Sequence, residues 1–378
     1  MIKTHWFLPT AGDSRDVVPT AGGHRRPPTI EYLSQVARAA EQLGFDAVLT
    51  PTGTWCEDAW IMTAALIRET RSLRFLVAFR PGSISPTLAA QQAATFQRAS
   101  GGRLLINMVT GGDPTEMARF GTTTDHDARY EQTGEFLSVL RGAWSGEPFT
   151  LDGAHIRVEG ATVQLPPDPL PEVYFGGASP AAEAVAATHA DVYLAWGEPP
   201  TMVAERVERR RELAAAQGRR LRMGIRLHVI SRDRAADAWA EAQRLLDNMD
   251  PATMATAQAN FARTQSVGQQ RMASLHEGDP DKLVVGPNLW AGIGLVRGGA
   301  GTALVGSHEE VAERIADYHD VGFDEFILSG HPHLEEAYWV GEGVLPALRK
   351  AGLLGPPPRS SWVDGEGNPH PMTVSAAR

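Results

Sequence analysis

The chain has 378 residues, 43% hydrophobic and 21% charged, and 45 acidic against 35 basic side chains give a formal net charge of −10. This composition excludes a disordered chain or a coiled coil, and the negative balance offers no field for polyphosphate, so nucleic acid is not an expected partner. The single cysteine, Cys56, excludes an intramolecular disulfide and a cysteine-based zinc site, which fits a reducing compartment, and a cytoplasmic location is the expectation.

The opening run through Trp6-Phe7-Leu8 is shorter than the roughly 7 to 15 residues of a signal-peptide core and is soon followed by Asp13, so it reads as a first strand. No segment approaches the roughly 18 uninterrupted apolar residues of a membrane span. From there, short β-rich runs alternate with helix-patterned segments. Strands are expected at residues 3–9, 46–50, 73–80, 103–109, 172–176, 191–196, 221–230 and 323–329, with helices such as 30–43, 86–99, 180–189 and 309–321 between them. Eight such units predict an α/β protein, a single (β/α)8 TIM barrel over residues 1–354. The alternative, an open doubly wound sheet, lacks its Gly-x-Gly-x-x-Gly after the first strand.

Two insertions interrupt the pattern. Residues 148–164 read as a hairpin turning at Asp152-Gly153 that decorates the barrel. Residues 251–302, ahead of the last βα unit, are too long for an ordinary connection and end in Gly298-Gly299-Ala300-Gly301 beside Arg297; a mobile lid is the expectation, an ordered excursion the alternative. Residues 355–378 form a Pro-rich tail without periodicity, loose or docked on a neighbouring subunit.

In a TIM barrel the reacting groups come from the C-terminal strand ends. The seventh strand carries Arg226 and His228 at i and i+2, hence on one face, with Ile225, Leu227 and Val229 on the other. An arginine pointing into a barrel needs a carboxylate partner or a bound anion, and both stay open at this point. Trp196 closes the sixth strand, and His331 and His333 follow the eighth, so five ligand-type side chains crowd one rim. Metal binding by His228, His331 and His333 is not expected, because no matching carboxylate motif accompanies them. The fourth strand ends in Asn107-Met108-Val109-Thr110-Gly111-Gly112. The fifth runs into Gly176-Gly177-Ala178-Ser179-Pro180, a helix start suited to a phosphate, or else a plain turn. Glu208-Arg209-Arg210-Arg211-Glu212 reads as a solvated helix face with acidic partners.

Taken with Trp6-Phe7-Leu8-Pro9-Thr10, Cys56-Glu57-Asp58-Ala59-Trp60, Trp196-Gly197-Glu198-Pro199-Pro200, Ser266-Val267-Gly268-Gln269-Gln270-Arg271-Met272 and Pro287-Asn288-Leu289-Trp290, these residues resemble the alkanesulfonate monooxygenase family, reduced-FMN enzymes of the bacterial luciferase-like superfamily, over roughly residues 6–348. The resemblance implies a two-component system. A separate NAD(P)H-dependent flavin reductase supplies FMNH2 as a diffusible co-substrate, and this subunit uses it with O2 to split an organosulfonate into sulfite and an aldehyde. It further implies that Trp196, Arg226, His228 and His333 form the sulfonate pocket, that Arg297 closes over it with His331 at its mouth, and that Cys56, Asn107, Thr110, Tyr130, Gly177, Ala178 and Ser179 contact FMN. A homodimer or homotetramer is expected. Two departures, Ala11 for a family His and His331 for a family Tyr, bear on the substrate and leave room for a bulkier polar sulfonate such as sulfoquinovose. Other readings are a deazaflavin-dependent oxidoreductase and a non-catalytic flavin-binding subunit. Both fit less well with the retained Trp196, Arg226, His228 and Arg297.

Overall fold

The computed structural model describes residues 1–19 and 23–356; the expected tail lies, beyond Pro356, outside the described residues. Its strands are β1 (Lys3–Phe7), β2 (Ala47–Thr50), β3 (Arg74–Phe79), β4 (Leu104–Met108), β5 (Phe149–Asp152), β6 (Arg157–Ala161), β7 (Glu172–Gly176), β8 (Val192–Trp196), β9 (Arg222–Arg232), β10 (Val284–Gly286), β11 (Leu289–Trp290), β12 (Ala303–Ser307) and β13 (Glu325–Ser329). Parallel pairing runs β1-β2-β3-β4-β7-β8-β9-β13 and closes from β13 back onto β1. These are the eight strands expected from the sequence, and they form a closed TIM barrel.

Alternation along each strand sorts the residues. Phe7, Ala47, Leu49, Leu76, Leu105, Tyr174, Val192 and Ile327 pack together inside the barrel. Trp6, Ile225, Leu227, Val229, Phe326 and Leu328 belong to the larger core between strands and helices. The chain leaves the strand ends through side-chain helix caps: Thr29, Asp58, Ser85, Asp125, Ser179 and Ser307 each accept a hydrogen bond from the first turn of the helix they precede.

β9 has 11 residues and outruns the barrel. Its first half pairs with β8 and with β13; from His228 onward it pairs with β12, which takes up the edge that β8 leaves. Residues 303–307 are therefore a strand that the sequence pattern did not separate from its surroundings. The 251–302 insertion is folded: it holds helices Pro251–Phe261 and Val267–Ser274, two 3-10 turns, and the short antiparallel strands β10 and β11 attached to β12. The smaller insertion is the expected hairpin, β5 against β6, with Glu135 accepting hydrogen bonds from the amides of Ala154, His155 and Ile156 in its loop at 2.7–2.9 Å. One local expectation fails. Arg209, Arg210 and Arg211 do find acidic partners, but Arg210 is buried rather than solvated, bound to Glu183 at 3.1 Å and stacked over the Tyr193 ring.

Candidate active site

The inward column of β9 runs Arg222, Gly224, Arg226, His228. At the N-terminal end of the barrel Arg222 pairs with Glu325 and Glu172. Two turns of the pleat higher, Arg226 lies over the face of Phe7, 4.4 Å from the ring centroid. No carboxylate pairs with it among the described residues, and its Nε is buried without a hydrogen-bond partner. Burial and the neighbouring Arg297 push the Arg226 guanidinium down to about 9. Arg297, near the end of the 251–302 insertion, approaches His331, its Nη1 3.3 Å from Nε2, and likewise forms no ion pair among the described residues. Two buried arginines thus converge at one point of the rim, neither in an ion pair among the described residues, and the carboxylate that acts on Arg297 from a distance is Asp13.

Three imidazoles share that part of the rim. His228 and His331 are stacked, their centroids 5.6 Å apart at 18°, and His331 meets His333 edge-on at 5.0 Å. His228 Nδ1 lies 3.0 Å from the hydroxyl of Ser329, the opposite inward residue of β13. Burial, followed by His331 and Arg226 for one ring and by His333 and Arg297 for the other, holds His228 and His331 well below the ordinary imidazole range.

The residue the sequence reading missed is Asp13. It is fully buried in the loop after β1; its Oδ1 accepts from His333 Nδ1 at 2.9 Å and from the Ser14 amide at 2.9 Å, while Oδ2 accepts from the His333 amide at 2.8 Å and from the Tyr32 hydroxyl. Burial disfavours the charge, but His333 and Tyr32 outweigh it and hold the Asp13 carboxyl well below the usual carboxylate range. Asp13, His331 and His333 lie within 4.8 Å of one another. Both Asp13 oxygens are already engaged and a guanidinium faces His331, which makes the trio a hydrogen-bonded network rather than a cation cage. The only sequence signal for Asp13 was its place just past the first strand.

The expected flavin contacts lie on the adjoining arc of the rim. Asn107 points inward from β4 and makes no side-chain hydrogen bond among the described residues. Thr110 Oγ1 lies 3.1 Å from Thr133 Oγ1, and Tyr130 is buried edge-on to Phe175. Gly177 has φ +151°, and a Cβ there would stand 2.6 Å from Ala182 Cβ and 2.9 Å from the Tyr130 hydroxyl. The Tyr193 hydroxyl donates to its carbonyl. Next to it Ala178 is half-buried and Ser179 caps helix Pro180–His189. Cys56 sits in the loop after β2, its thiol directed at the Gly53 and Pro51 carbonyls, and burial pushes it up to about 11, so it is no thiolate nucleophile.

The insertion reaches over this rim. Gly268 lies against the Trp196 ring, where a Cβ would come within 3.1 Å, and Gln269 accepts from the Gly299 amide at 2.8 Å. Across the mouth, the Gln265 amide donates to Gly112 at 3.2 Å and Arg129 donates to the Gln265 side chain at 3.0 Å. Gly197 is required beneath it: a Cβ there would fall 2.1 Å from Leu227, and its carbonyl accepts from the Thr302 hydroxyl at 2.6 Å. All six expected rim residues, Trp196, Arg226, His228, Arg297, His331 and His333, therefore meet at one end of the barrel.

The luciferase-like monooxygenase family matches residues 2–325 of this sequence. The chain belongs to that family. Solved structures of the same fold include a riboflavin lyase with modified FMN and riboflavin (TM-score 0.80, 21% identity, covering 94% of this chain and 93% of that one). An EDTA monooxygenase from Chelativorans sp. BNC1 is similar over 94% of this chain and 95% of its own (TM-score 0.73, 20% identity). So is an F420-dependent secondary alcohol dehydrogenase (TM-score 0.68, 18% identity, 92% of this chain and 99% of that one). At these identities the likeness concerns the barrel alone. Among the described residues of this family member, no helix is long and apolar enough to cross a membrane.

Proposed function

We propose that this luciferase-like monooxygenase uses reduced FMN and O2 to cleave the C–S bond of an organosulfonate. The observation that carries the reading is the buried pair Arg226 and Arg297, which lie close together with neither in an ion pair among the described residues. A buried guanidinium without a counter-charge is costly, and a bound anion relieves that cost through charge-assisted hydrogen bonds. A sulfonate offers three acceptor oxygens on a tetrahedral centre, while its organic part can lie toward Trp196 and the insertion.

The residues present suit a flavin. Gly177 leaves a cradle that a Cβ would fill, at a helix start where Ser179 and the first amides can hold a phosphate. The unbonded amide of Asn107 and the hydroxyl of Thr110, at the end of the neighbouring strand β4, are suited to polar edges of the ring, with Tyr130 and Ala178 beside the cradle and Cys56 after β2. When bound, reduced FMN with O2 supplies the oxygen-transfer chemistry that ends in sulfite and an aldehyde. The protein's own part is to fix the sulfonate between Arg226 and Arg297, to exclude water beneath the insertion, and to offer an imidazole as proton acceptor. A flavin reductase as partner follows from the use of FMNH2 as a co-substrate.

The test is sulfite release from an organosulfonate by the purified protein with a flavin reductase, NADPH, FMN and O2. Release that requires both FMN and O2 supports the reading. No sulfite from short-chain, long-chain or hydroxylated sulfonates, with the reductase shown to be active, overturns it.

A further inference from the structure

We propose that Asp13 is the positioning residue of the site, orienting His333 so that a bare Nε2 faces the cavity as its proton acceptor. The argument starts from the hydrogen-bond count. Asp13 receives four donors, from Ser14 N, His333 N, His333 Nδ1 and the Tyr32 hydroxyl, which occupy both its oxygens. A carboxylate so surrounded cannot itself be a donor, so the proton of the Asp13–His333 contact resides on Nδ1. In the neutral ring Nε2 is then a lone pair. That atom is buried and has no hydrogen-bond partner within the described protein.

The surroundings single out His333 among the three imidazoles. The charged and titratable groups facing it are Asp13 from the β1 loop, Tyr32 from the first helix, His331 on its own segment, His228 and Arg226 from β9, and Arg297 from the insertion. Among the described residues, Asp13 is the one carboxylate in direct contact with a ring of this group. Protonation of His228 or His331 would add a positive charge beside the arginines; protonation of His333 produces an imidazolium already paired with Asp13. The proton arrives on the Nε2 lone pair while Nδ1–H stays on the carboxylate, the division of labour of a carboxylate-oriented base. Behind the dyad, the Trp6 indole donates to the His333 carbonyl at 3.0 Å, and Tyr32 also borders the Arg26–Glu335 pair, so ring and carboxylate are both held from outside the cavity. The inference rests on the proposed reading only for which reaction uses the proton.

The experiment is 15N NMR of the histidine side chains in flavin-free protein, with His333 assigned by its loss in His333→Gln. The expected result for the parent protein is a neutral His333 in the Nδ1–H form; an Nε2–H form overturns the proposal without recourse to any Asp13 variant. In Asp13→Asn, the Nε2–H form gains population. If the parent protein turns over a sulfonate, that variant loses kcat by about 10²- to 10⁴-fold with its FMN affinity retained. Parental tautomer and kcat in Asp13→Asn overturn the proposal. A parent protein that releases no sulfite leaves the tautomer result standing and counts only against the proposed activity.

Discussion

Arg222 and Arg226 stand four residues apart on the inward column of β9, and only Arg222 is neutralised. Arg222 meets Glu325 and Glu172 at the N-terminal end of the barrel, whereas Arg226 meets the face of Phe7 and the approach of Arg297. One strand thus carries one arginine paired with carboxylates and one without an ion pair among the described residues, and substitution separates them. Arg222→Met takes from Glu325 one of its positive partners and lowers stability by about 3 kcal/mol. Arg226→Met removes an uncompensated charge, so the thermal midpoint holds or rises, while sulfite turnover falls about 10²- to 10³-fold. Paired melts and sulfite assays check this; equal activity losses with equal melting losses would show that both arginines are structural.

Acid titration probes the lower end of the barrel. Burial raises Glu325, but His5, Arg222 and Tyr174 more than offset it and bring the carboxyl down to about 2 from an ordinary 4.5. A folded value below the unfolded one contributes stability that is complete above about pH 4.5 and is lost as pH falls toward 2. The part due to this group is about 3 kcal/mol. Glu325→Gln should flatten the dependence of the melting temperature on pH across that window, and an unchanged slope would reject the assignment.

The barrel was legible in the sequence because each of its strands is a short β-rich run followed by a capped helix, and the i, i+2 pair Arg226 and His228 declares its shared face by alternation alone. Asp13 was not legible. Its partner His333 lies 320 positions away, and no local pattern encodes a contact made only when β13 closes onto β1. β12 escaped for a related reason: residues 303–307 pair with the overhang of β9 outside the barrel, so no eighth-of-a-barrel spacing announces them.

The insertion is folded, and a few polar contacts fasten it across the mouth, chiefly Gln265 to Gly112 and to Arg129. So few hydrogen bonds over a solvent-facing mouth allow opening at modest free-energy cost. Limited proteolysis is expected to cut within 251–302 in the free protein and to be suppressed when FMN and a sulfonate are present together. Arg129→Ala should speed cutting in the free state. Equal rates with and without ligands would argue that the segment is a fixed cover.

Gly177 offers the sharpest probe of the flavin cradle. Its φ of +151° and the 2.6 Å approach of Ala182 leave no room for a side chain, so Gly177→Val must displace the start of helix Pro180–His189. Reduced-FMN affinity is expected to fall about tenfold or more, while the barrel melts near the parental temperature. The parent protein should bind reduced FMN more tightly than oxidised FMN and lose its colour on dialysis. Stoichiometric yellow flavin surviving dialysis would contradict use of FMNH2 as a diffusible co-substrate.

The substrate range turns on Ala11 and His331. Ala11 is exposed on the loop after β1, where the resembling family carries an imidazole, and His331 is a buried ring between His228, His333 and Arg297, where that family carries a phenol. Both residues are shorter than their counterparts in the resembling family, and His331 presents a nitrogen rather than a hydroxyl. A wider and more polar pocket discriminates for a sulfonate whose hydroxyl groups can pair with that nitrogen, because an apolar chain would leave it unsatisfied. The expected order of kcat/KM is therefore sulfoquinovose above octanesulfonate above methanesulfonate. His331→Tyr should narrow the gap from the top by lowering the sugar sulfonate's value, and Ala11→His should do the same by closing the entrance. Comparing the three substrates across the parent and both variants decides the matter: a parent enzyme that favours methanesulfonate would show that the added room is not used.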